Sequence, residues 1–504
     1  MKSLFQVAEE NVKKRGEYDL LFFEGRSYSN ALLLDRAEHL ARLLLAKGIK
    51  PGDHILILLP NGPEIFTAFL ALSRLGTVAV PIGSRLTSKE IGAIARDSEA
   101  LWALSDADLA PKIKETDAFL PDHIFLVKSL LAEKSHRLPL ESFEPAENDL
   151  ACLVYTSGTT GEPKGVMLSA GNIYAEGWGV ANAYTVPGED PSKLTQLLVL
   201  PLSHSYGLLV MFMTFFFGNK TVVLPRFSTE PVLRAIQENE VRLMWGVPTM
   251  YNLLLSFTNA ENYVKSVVQW DAGGAALPAT TRKGLEERFG GKVTDGYGCT
   301  EASGCVTTQD REHWSPPECQ GFPIEGDDIE VIDLEGRIVP DGTPGEFRIC
   351  GKTVMMGYWK KPQLTERSLK EGKYLSGDLG VKNPQGFFTF LERKDDLIIR
   401  GGENLYPREI ENQLYLHPAI REAKAIGIPD PIMGQEAIAY VSLWEGSAAT
   451  PEELKRFLSD RLVSYKLPKL IEILPDLPKN SNGKILGRQL SSAFSPMKET
   501  SKKE

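Results

Sequence analysis

At Tyr155 the branched run Leu153-Val154 gives way to Thr156, Ser157, Gly158, Thr159, Thr160 and Gly161, followed by Glu162, Pro163 and Lys164. Hydroxyls and free backbone N–H groups in such a turn can surround phosphate oxygens; glycine lets the backbone approach closely, and the lysine supplies charge. The glycines and lysine do not fit GxxxxGK[ST], so the Walker-type loop is excluded on spacing. Further on, Asp295-Gly296-Tyr297-Gly298-Cys299-Thr300-Glu301 brings an aromatic ring, a hydroxyl and a carboxylate close together. A carboxylate of this kind suits a hard cation such as Mg²⁺. Near the far end, Asn482-Gly483-Lys484 sets an ammonium group on a turn. No Ser-His-Asp or reactive-cysteine pattern accompanies these residues.

The elements that must position them alternate. A helix is expected over 29–48, capped by Ser29, with Leu34, Ala37, Leu40, Ala41 and Leu44 at helical spacing and Gly48 and Pro51 at its end. A strand follows at 54–59, then a helix at 64–75 and a strand at 77–80. The rhythm returns as a strand at 221–224, a helix at 230–239 and a strand at 241–245. Strands alternating with helices indicate buried parallel sheets, so the fold class is α/β. After Glu325 the pattern changes. Residues 328–349 alternate branched residues with Gly and Pro turns, as in a small antiparallel sheet or barrel. A helix at 451–463 is expected, with Thr450 as cap and Pro451 at its first position.

Composition bounds the possibilities. A chain of 504 residues, 42% hydrophobic and 24% charged, has the length for more than one domain. Its net charge of −10 argues against a nucleic-acid binder, which needs a basic face. The five cysteines form no CxxC pair, which excludes the common zinc spacings and fits a reducing compartment. The start, MKSLFQVAEENVKKRGEYD, has no apolar core of a secretory signal, and the longest apolar run, 208–217, is too short for a bilayer span. A cytoplasmic protein is expected.

The string YTSGTTGEPKGVMLS resembles the phosphate-binding loop of the adenylate-forming superfamily, the acyl- and aryl-CoA synthetases, firefly luciferase and peptide-synthetase adenylation domains. PLSHSYG (201–207), DAGGAAL (271–277), DGYGCTEASG (295–304), YLSGDLG (374–380), ERKDDLIIRGGENLYPREIE (392–411) and PKNSNGKILGR (478–488) follow in that family's order. The segment 29–90, ending in PIGSRLTSKEI, is also similar to its start.

The resemblance implies a large N-terminal domain (1–394) of parallel-rich sheets flanked by helices with a small β-barrel-like subdomain. A small mobile α+β domain (395–490) and a disordered tail (491–504) would follow it. It implies ATP, Mg²⁺ and coenzyme A. Thr156 through Gly161 with Lys164 would hold phosphate, with Thr156 also near the metal. Gly273, Gly274 and Ala275 would separate the adenine from the acyl pocket, and Tyr297, within Asp295-Gly296-Tyr297-Gly298, would stack on adenine. Thr300 would contact the α-phosphate and Glu301 would hold Mg²⁺. Asp378 would accept the ribose hydroxyls, with Arg393 beside it, and Asp395 would be the hinge. His204 would sit by the substrate carboxylate and gate the thiol. Lys484 would offset the charge that builds when a carboxylate attacks a triphosphate. The small domain would then turn, withdraw Lys484 and present Gly401 and Gly402, which leave room for a pantetheine arm.

The acid is less legible. Gly296 stands where dicarboxylate-activating relatives carry arginine, which disfavours a second carboxylate. The apolar stretch 208–217, with Trp245, Val247 and Met250, could wall a greasy slot or be core. A medium- or long-chain fatty acid is the first expectation and an aryl acid the second. Transfer to a separate carrier protein, luciferase-like oxidation and a non-catalytic scaffold are weaker alternatives; the oligomer is expected to be a monomer or homodimer. Glu318-Cys319-Gln320-Gly321 and Arg400 depart from the family's usual residues.

Overall fold

Ser29 caps the helix Asn30–Ala46 by accepting from the Leu32 N–H, as a short hydroxyl side chain does before an apolar period. The computed structural model describes every residue except 135–138, 142, 158–162, 187, 189, 310–314, 480–484, 488 and 491–504. The buried face of this helix runs through Leu33, Ala37, Leu40, Ala41 and Leu44. Leu33, not the expected Leu34, begins it, because steps of four and three from Leu33 reach every other buried position.

The remaining expected elements form with small shifts of boundary: His54–Leu58, Pro63–Leu75, Val78–Pro81, Thr221–Val223 and Thr229–Glu238. The strand expected over 241–245 is Leu243–Gly246. Val241 is diverted because its N–H returns to the Ile236 carbonyl and closes the preceding helix. The helix capped by Thr450 ends at Ser459, not 463. Beyond it the N–H groups of Arg461 and Leu462 both turn back to the Leu458 carbonyl.

By contact the chain divides into two units: Met1–Gly274 with Leu285–Glu330 and Arg348–Ser376, and Ala275–Gly284 with Val331–Phe347 and Gly377–Glu504. The first contains two large sheets. One has nine strands in the order Phe322–Pro323, Thr307–Thr308, Lys292–Tyr297, Gln269–Ala272, Leu243–Gly246, Gln196–Leu198, Thr221–Val223, Asp19–Phe23 and Arg26–Ser29. From Lys292–Tyr297 to Asp19–Phe23 all neighbours are parallel; the edges are antiparallel. The other has seven strands: Gly357–Tyr358, Pro163–Ser169, Leu150–Ser157, Val78–Pro81, His54–Leu58, Trp102–Ser105 and Ile124–Leu126. Its inner strands carry residues buried on both faces, as parallel strands covered by helices must.

The apolar stretch forms the helix Ser205–Phe217. It is hydrophobic all round, which places it inside the protein. Phe215 meets Phe66 edge-on at 6.0 Å between centroids, and Phe212 meets Phe69 at 6.4 Å. A Cβ on Gly177 would strike the Phe216 ring, so this glycine sets how closely the helix Ala170–Tyr184 approaches.

In the segment expected to be a small antiparallel sheet, Asp327–Ile332, Gly345–Gly351, Lys373–Lys382 and Leu369–Lys370 are successive neighbours, and Phe388–Arg393 also pairs with Lys373–Lys382. Within the second unit a further sheet runs Glu403–Leu405, Ile398–Arg400, Gly434–Leu443 and Ile420–Asp430, with Leu470–Ile473 parallel to Gly434–Leu443. Ile398, Ile410, Leu414, Val441, Leu454 and Ile471 belong to its core.

Removing a ring from the first unit's core tests this packing. Phe212→Ala should cost about 3–5 kcal/mol, read as a lowered midpoint of thermal unfolding; an unchanged midpoint would contradict the packing described.

Candidate active site

The segment expected to bind phosphate lies on a hairpin. Strands Leu150–Ser157 and Pro163–Ser169 are antiparallel, and their register sets Thr156 opposite Lys164 and Tyr155 opposite Gly165. The expected hydroxyl and ammonium therefore share one end of the hairpin. Gly158, Thr159, Thr160 and Gly161 lie outside the described residues, as does Lys484; Ser157 is described by its backbone alone. The hairpin is anchored from behind. Tyr155 donates to Asp97 Oδ2 at 2.6 Å, the Trp359 indole donates to the Asp97 carbonyl at 2.9 Å, and the Trp359 N–H donates to the Gly165 carbonyl at 2.8 Å.

The segment around Glu301 approaches this hairpin through Tyr358. Its hydroxyl donates to Glu301 Oε1 at 2.8 Å, and the Lys164 ammonium lies 5.7 Å from the centre of its ring. Burial, and next the Glu301 carboxylate, push the Tyr358 phenol up, so it remains a donor. The Met355 N–H holds the Glu301 carbonyl at 2.9 Å. Thr300 Oγ1 and Ser205 Oγ are 3.2 Å apart, so the expected α-phosphate hydroxyl sits at the start of the helix that follows His204. His204 itself is the half-buried residue before that helix.

Tyr297 ends the strand Lys292–Tyr297 and is buried. Gly298 is confined by the Gly304 carbonyl, with no room for a Cβ. Gly296 would bring a Cβ to 3.0 Å from the Thr307 carbonyl. Asp295 differs from its neighbours in the motif. Its Oδ2 accepts from Gln320 at 2.7 Å and its N–H donates to Gln309 Oε1 at 3.0 Å, so its buried carboxylate braces the Gln320 departure. Gly273 is buried beneath the Tyr206 ring, while Gly274 is exposed with φ +74°, a conformation that favours glycine.

In the second unit, Asp378 and Arg393 pair across adjacent strands, and Arg393 Nε lies 3.0 Å from Asp378 Oδ1. Asp378 is buried and Arg393 half-exposed. Asp395 is exposed in the short turn Lys394–Asp396 that follows. Gly401 and Gly402 are the two-residue turn between Ile398–Arg400 and Glu403–Leu405, with φ +61° and +88°. Positive φ at both positions is what a tight hairpin of the right twist requires, hence two glycines. Arg400 is committed to Glu436, with Nε 2.9 Å from Oε2, and its Nη1 donates to the Tyr465 carbonyl at 2.6 Å. Ala275 is half-buried beside Gly274.

Tyr358, which holds Glu301, lies in none of the motifs read from the sequence. The signal for Tyr358 would have been its place in the Gly357–Tyr358 strand paired with Met167 and Val166, a contact no spacing reveals. As for a metal, no group of three or more His, Cys, Asp or Glu side chains is placed to hold one among the described residues. Mg²⁺ takes only one or two carboxylates and fills its octahedron with phosphate and water. The half-exposed Glu301, with one oxygen fixed by Tyr358, fits that demand. Among the described residues no helix is long and apolar enough to cross a membrane.

Residues 8–359 match the family model described as AMP-binding enzyme, and residues 409–484 match that of the AMP-binding enzyme C-terminal domain. A long-chain-fatty-acid–CoA ligase of Bacillus subtilis (strain 168) is 32% identical, over 97% of this chain and 94% of its own. A feruloyl-CoA synthase of an Amycolatopsis species is 33% identical, over 93% and 94%. The o-succinylbenzoate CoA synthetase of Bacillus subtilis, solved with its acyl-adenylate intermediate, superposes with a TM-score of 0.86 at 30% identity, covering 97% of this chain and 98% of the other; the same enzyme has been solved with ATP and magnesium.

The Tyr358 contact generates a test. Tyr358→Phe removes the donor that orients Glu301, and loss of an outer partner of a metal ligand costs about 10–100-fold in metal affinity or activity. The Mg²⁺ concentration for half-maximal adenylation should rise by about tenfold or more; an unchanged Mg²⁺ dependence would remove Tyr358 from the site.

Proposed function

Because this chain belongs to the family of AMP-binding enzymes, and so is an acid–thiol ligase acting through an acyl-adenylate, we propose that its acid is aromatic. ATP and Mg²⁺ serve the first half-reaction, and coenzyme A accepts the acyl group in the second. The observation that carries the aromatic reading is the wall beside Gly273: the Tyr206 ring covers that glycine, and Trp245 lies edge-on to Tyr206 at 6.4 Å and tilted against Tyr184 at 4.8 Å. Of these rings Tyr206 is the half-exposed one, and a flat acid can stack on it. Likeness to a feruloyl-CoA synthase and to an o-succinylbenzoate CoA synthetase supports the same choice.

This order reverses the sequence expectation. The apolar stretch that suggested a greasy slot is largely occupied with core packing against Phe66 and Phe69. One observation favours the fatty acid: a small apolar pocket lined by Leu4, Phe69, Leu72, Ile173, Phe212 and Phe216. Likeness to the long-chain-fatty-acid–CoA ligase supports that second reading.

In the proposed first step, the acid's carboxylate attacks the α-phosphorus of ATP and pyrophosphate leaves. The hairpin hydroxyls and Lys164 grip phosphate, Thr300 meets the α-phosphate and Glu301 holds the metal, which offsets negative charge. Tyr297 supports the adenine, Asp378 and Arg393 the ribose, and His204 lies by the acid's carboxylate. Lys484 stabilises charge on the departing pyrophosphate, a contribution larger in the transition state than in the ground state. In the second step residues 395–490 turn about Asp395, Gly401 and Gly402 admit the pantetheine arm, and the thiol displaces AMP. We place the enzyme in the cytoplasm, where ATP and coenzyme A are available.

Pyrophosphate release over a panel of aromatic and straight-chain acids tests the substrate: aryl acids should give the highest kcat/KM, and preference for long alkyl acids would restore the fatty-acid reading. Mass-spectrometric detection of acyl-CoA with coenzyme A alone separates this acceptor from a carrier protein. Lys484→Ala should lower adenylation by about 10²–10³-fold and spare thiolation of supplied acyl-AMP. Equal loss of both half-reactions would reject its assigned role.

A further inference from the structure

The helix Ser88–Asp97 ends on a carboxylate, at the terminus where the helix dipole disfavours negative charge. Asp97 commits that carboxylate to the hairpin of Thr156 and Lys164. Its Oδ2 accepts from the Tyr155 hydroxyl at 2.6 Å, a length typical of a bond to an ionised acceptor. Packing alone does not ask for this pair. The Tyr155 ring lies in a core cluster with Ile91 and Ile94 of the same helix and with Leu56, Leu58 and Val80 of the sheet. A phenylalanine would bury the same ring and leave no hydroxyl to satisfy. Burial, and next the bond to Asp97, push the phenol up, so it stays a donor.

Asp97 holds the hairpin a second time. Its carbonyl accepts from the Trp359 indole at 2.9 Å, and the Trp359 N–H donates to the Gly165 carbonyl at 2.8 Å. Gly165 stands opposite Tyr155, so the two share one face of the strand pair. A Cβ on Gly165 would lie 3.1 Å from the Tyr155 Cζ and 3.3 Å from the Trp359 Cβ. Tyr155 and Trp359 therefore close over the glycine, and Asp97 is bonded to both. One step along each strand, Thr156 stands opposite Lys164. Alternation turns that pair to the other face. There the Lys164 ammonium lies 5.7 Å from the centre of the Tyr358 ring, whose hydroxyl holds Glu301. Consecutive residues thus serve the two faces, Trp359 the anchored one and Tyr358 the charged one.

We propose that Asp97 is a positioning residue of the adenylation half-reaction: through Tyr155 and Trp359 it fixes the strand pair from which Thr156 and Lys164 meet the triphosphate. The inference rests on the phosphate-gripping reading of the hairpin above and deepens it. Asp97 touches no reactant. Its influence is confined to the step that binds a triphosphate, because thiolation of acyl-AMP involves none. Without the pair the ladder and the apolar cluster would still form, but Thr156 and Lys164 would lose their common aim.

The test measures KM for ATP in pyrophosphate release, with the acid that gives the highest turnover in the panel above. The rate of acyl-CoA formation from supplied acyl-AMP of that acid is measured separately. Tyr155→Phe keeps the ring and removes the hydroxyl. It should raise KM for ATP by about tenfold, a fraction of the roughly 100-fold that a displacement of about 1 Å can cost, and leave the second rate unmoved. Asp97→Ala should do the same, and Asp97→Asn, which keeps an acceptor for the phenol, should recover most of the loss. Tyr155→Phe preserves the apolar packing, so it reports even if Asp97→Ala fails to fold. Lys164→Ala is the reference for the hairpin itself and should also raise KM for ATP. With that reference raised, an unmoved KM in Tyr155→Phe overturns this inference alone. So does an equal fall of both half-reactions in Tyr155→Phe, which a merely structural role predicts. An unmoved KM in Lys164→Ala overturns the phosphate-gripping reading and this inference with it.

Discussion

Two anions have to meet for this enzyme to work, a carboxylate and a triphosphate, and their repulsion dictates where functional groups stand. Donors and cations must converge on the phosphates while the acid approaches from a less polar side. Parallel sheets supply such a place, because every strand releases the chain at the same edge. Ser157 ends one strand, Gly273 follows another, and Tyr297 ends a third. Two of the segments that follow are tightly confined: a Cβ on Gly298 would collide with the Gly304 carbonyl, and one on Gly273 would press into Tyr206.

The Glu301 and Asp271 carboxyl groups are held differently. Glu301 is half-exposed and has one oxygen fixed by Tyr358, which leaves the carboxylate available to a hard cation. Asp271 is sealed among hydroxyl groups and its carboxyl is raised to about 7. Environment, not residue type, sets the two carboxyl groups apart. A phenol donates to each, Tyr358 to Glu301 and Tyr206 to Asp271, without bringing a positive charge.

Where the sequence departs from its relatives, the structure supplies a partner. Gln320 reaches the Asp295 carboxylate at 2.7 Å, and Gly321 beside it has φ +81° with Thr308 backbone where a Cβ would lie. Arg400 is bound to Glu436 and to the Tyr465 carbonyl. Each departure is thus a local brace that fixes a turn next to a functional segment.

The sequence by itself determined the alternation of helices and strands, the caps at Ser29 and Thr450, and the ordered motifs that mark Thr156, Glu301, Asp378 and Arg393. Those features are local: a cap, a period or a glycine pair is written in neighbouring residues, and so is the Gly401-Gly402 hairpin. Boundaries slipped where a distant backbone group intervened, as at Val241, whose N–H closes a helix. Only tertiary structure decided that Tyr358 serves Glu301 across 57 positions of chain, that the 208–217 stretch is mainly core, and that Asp271 sits under Tyr206. Burial and hydrogen bonding of a side chain depend on residues far away in sequence, and no spacing along the chain encodes which of them will arrive.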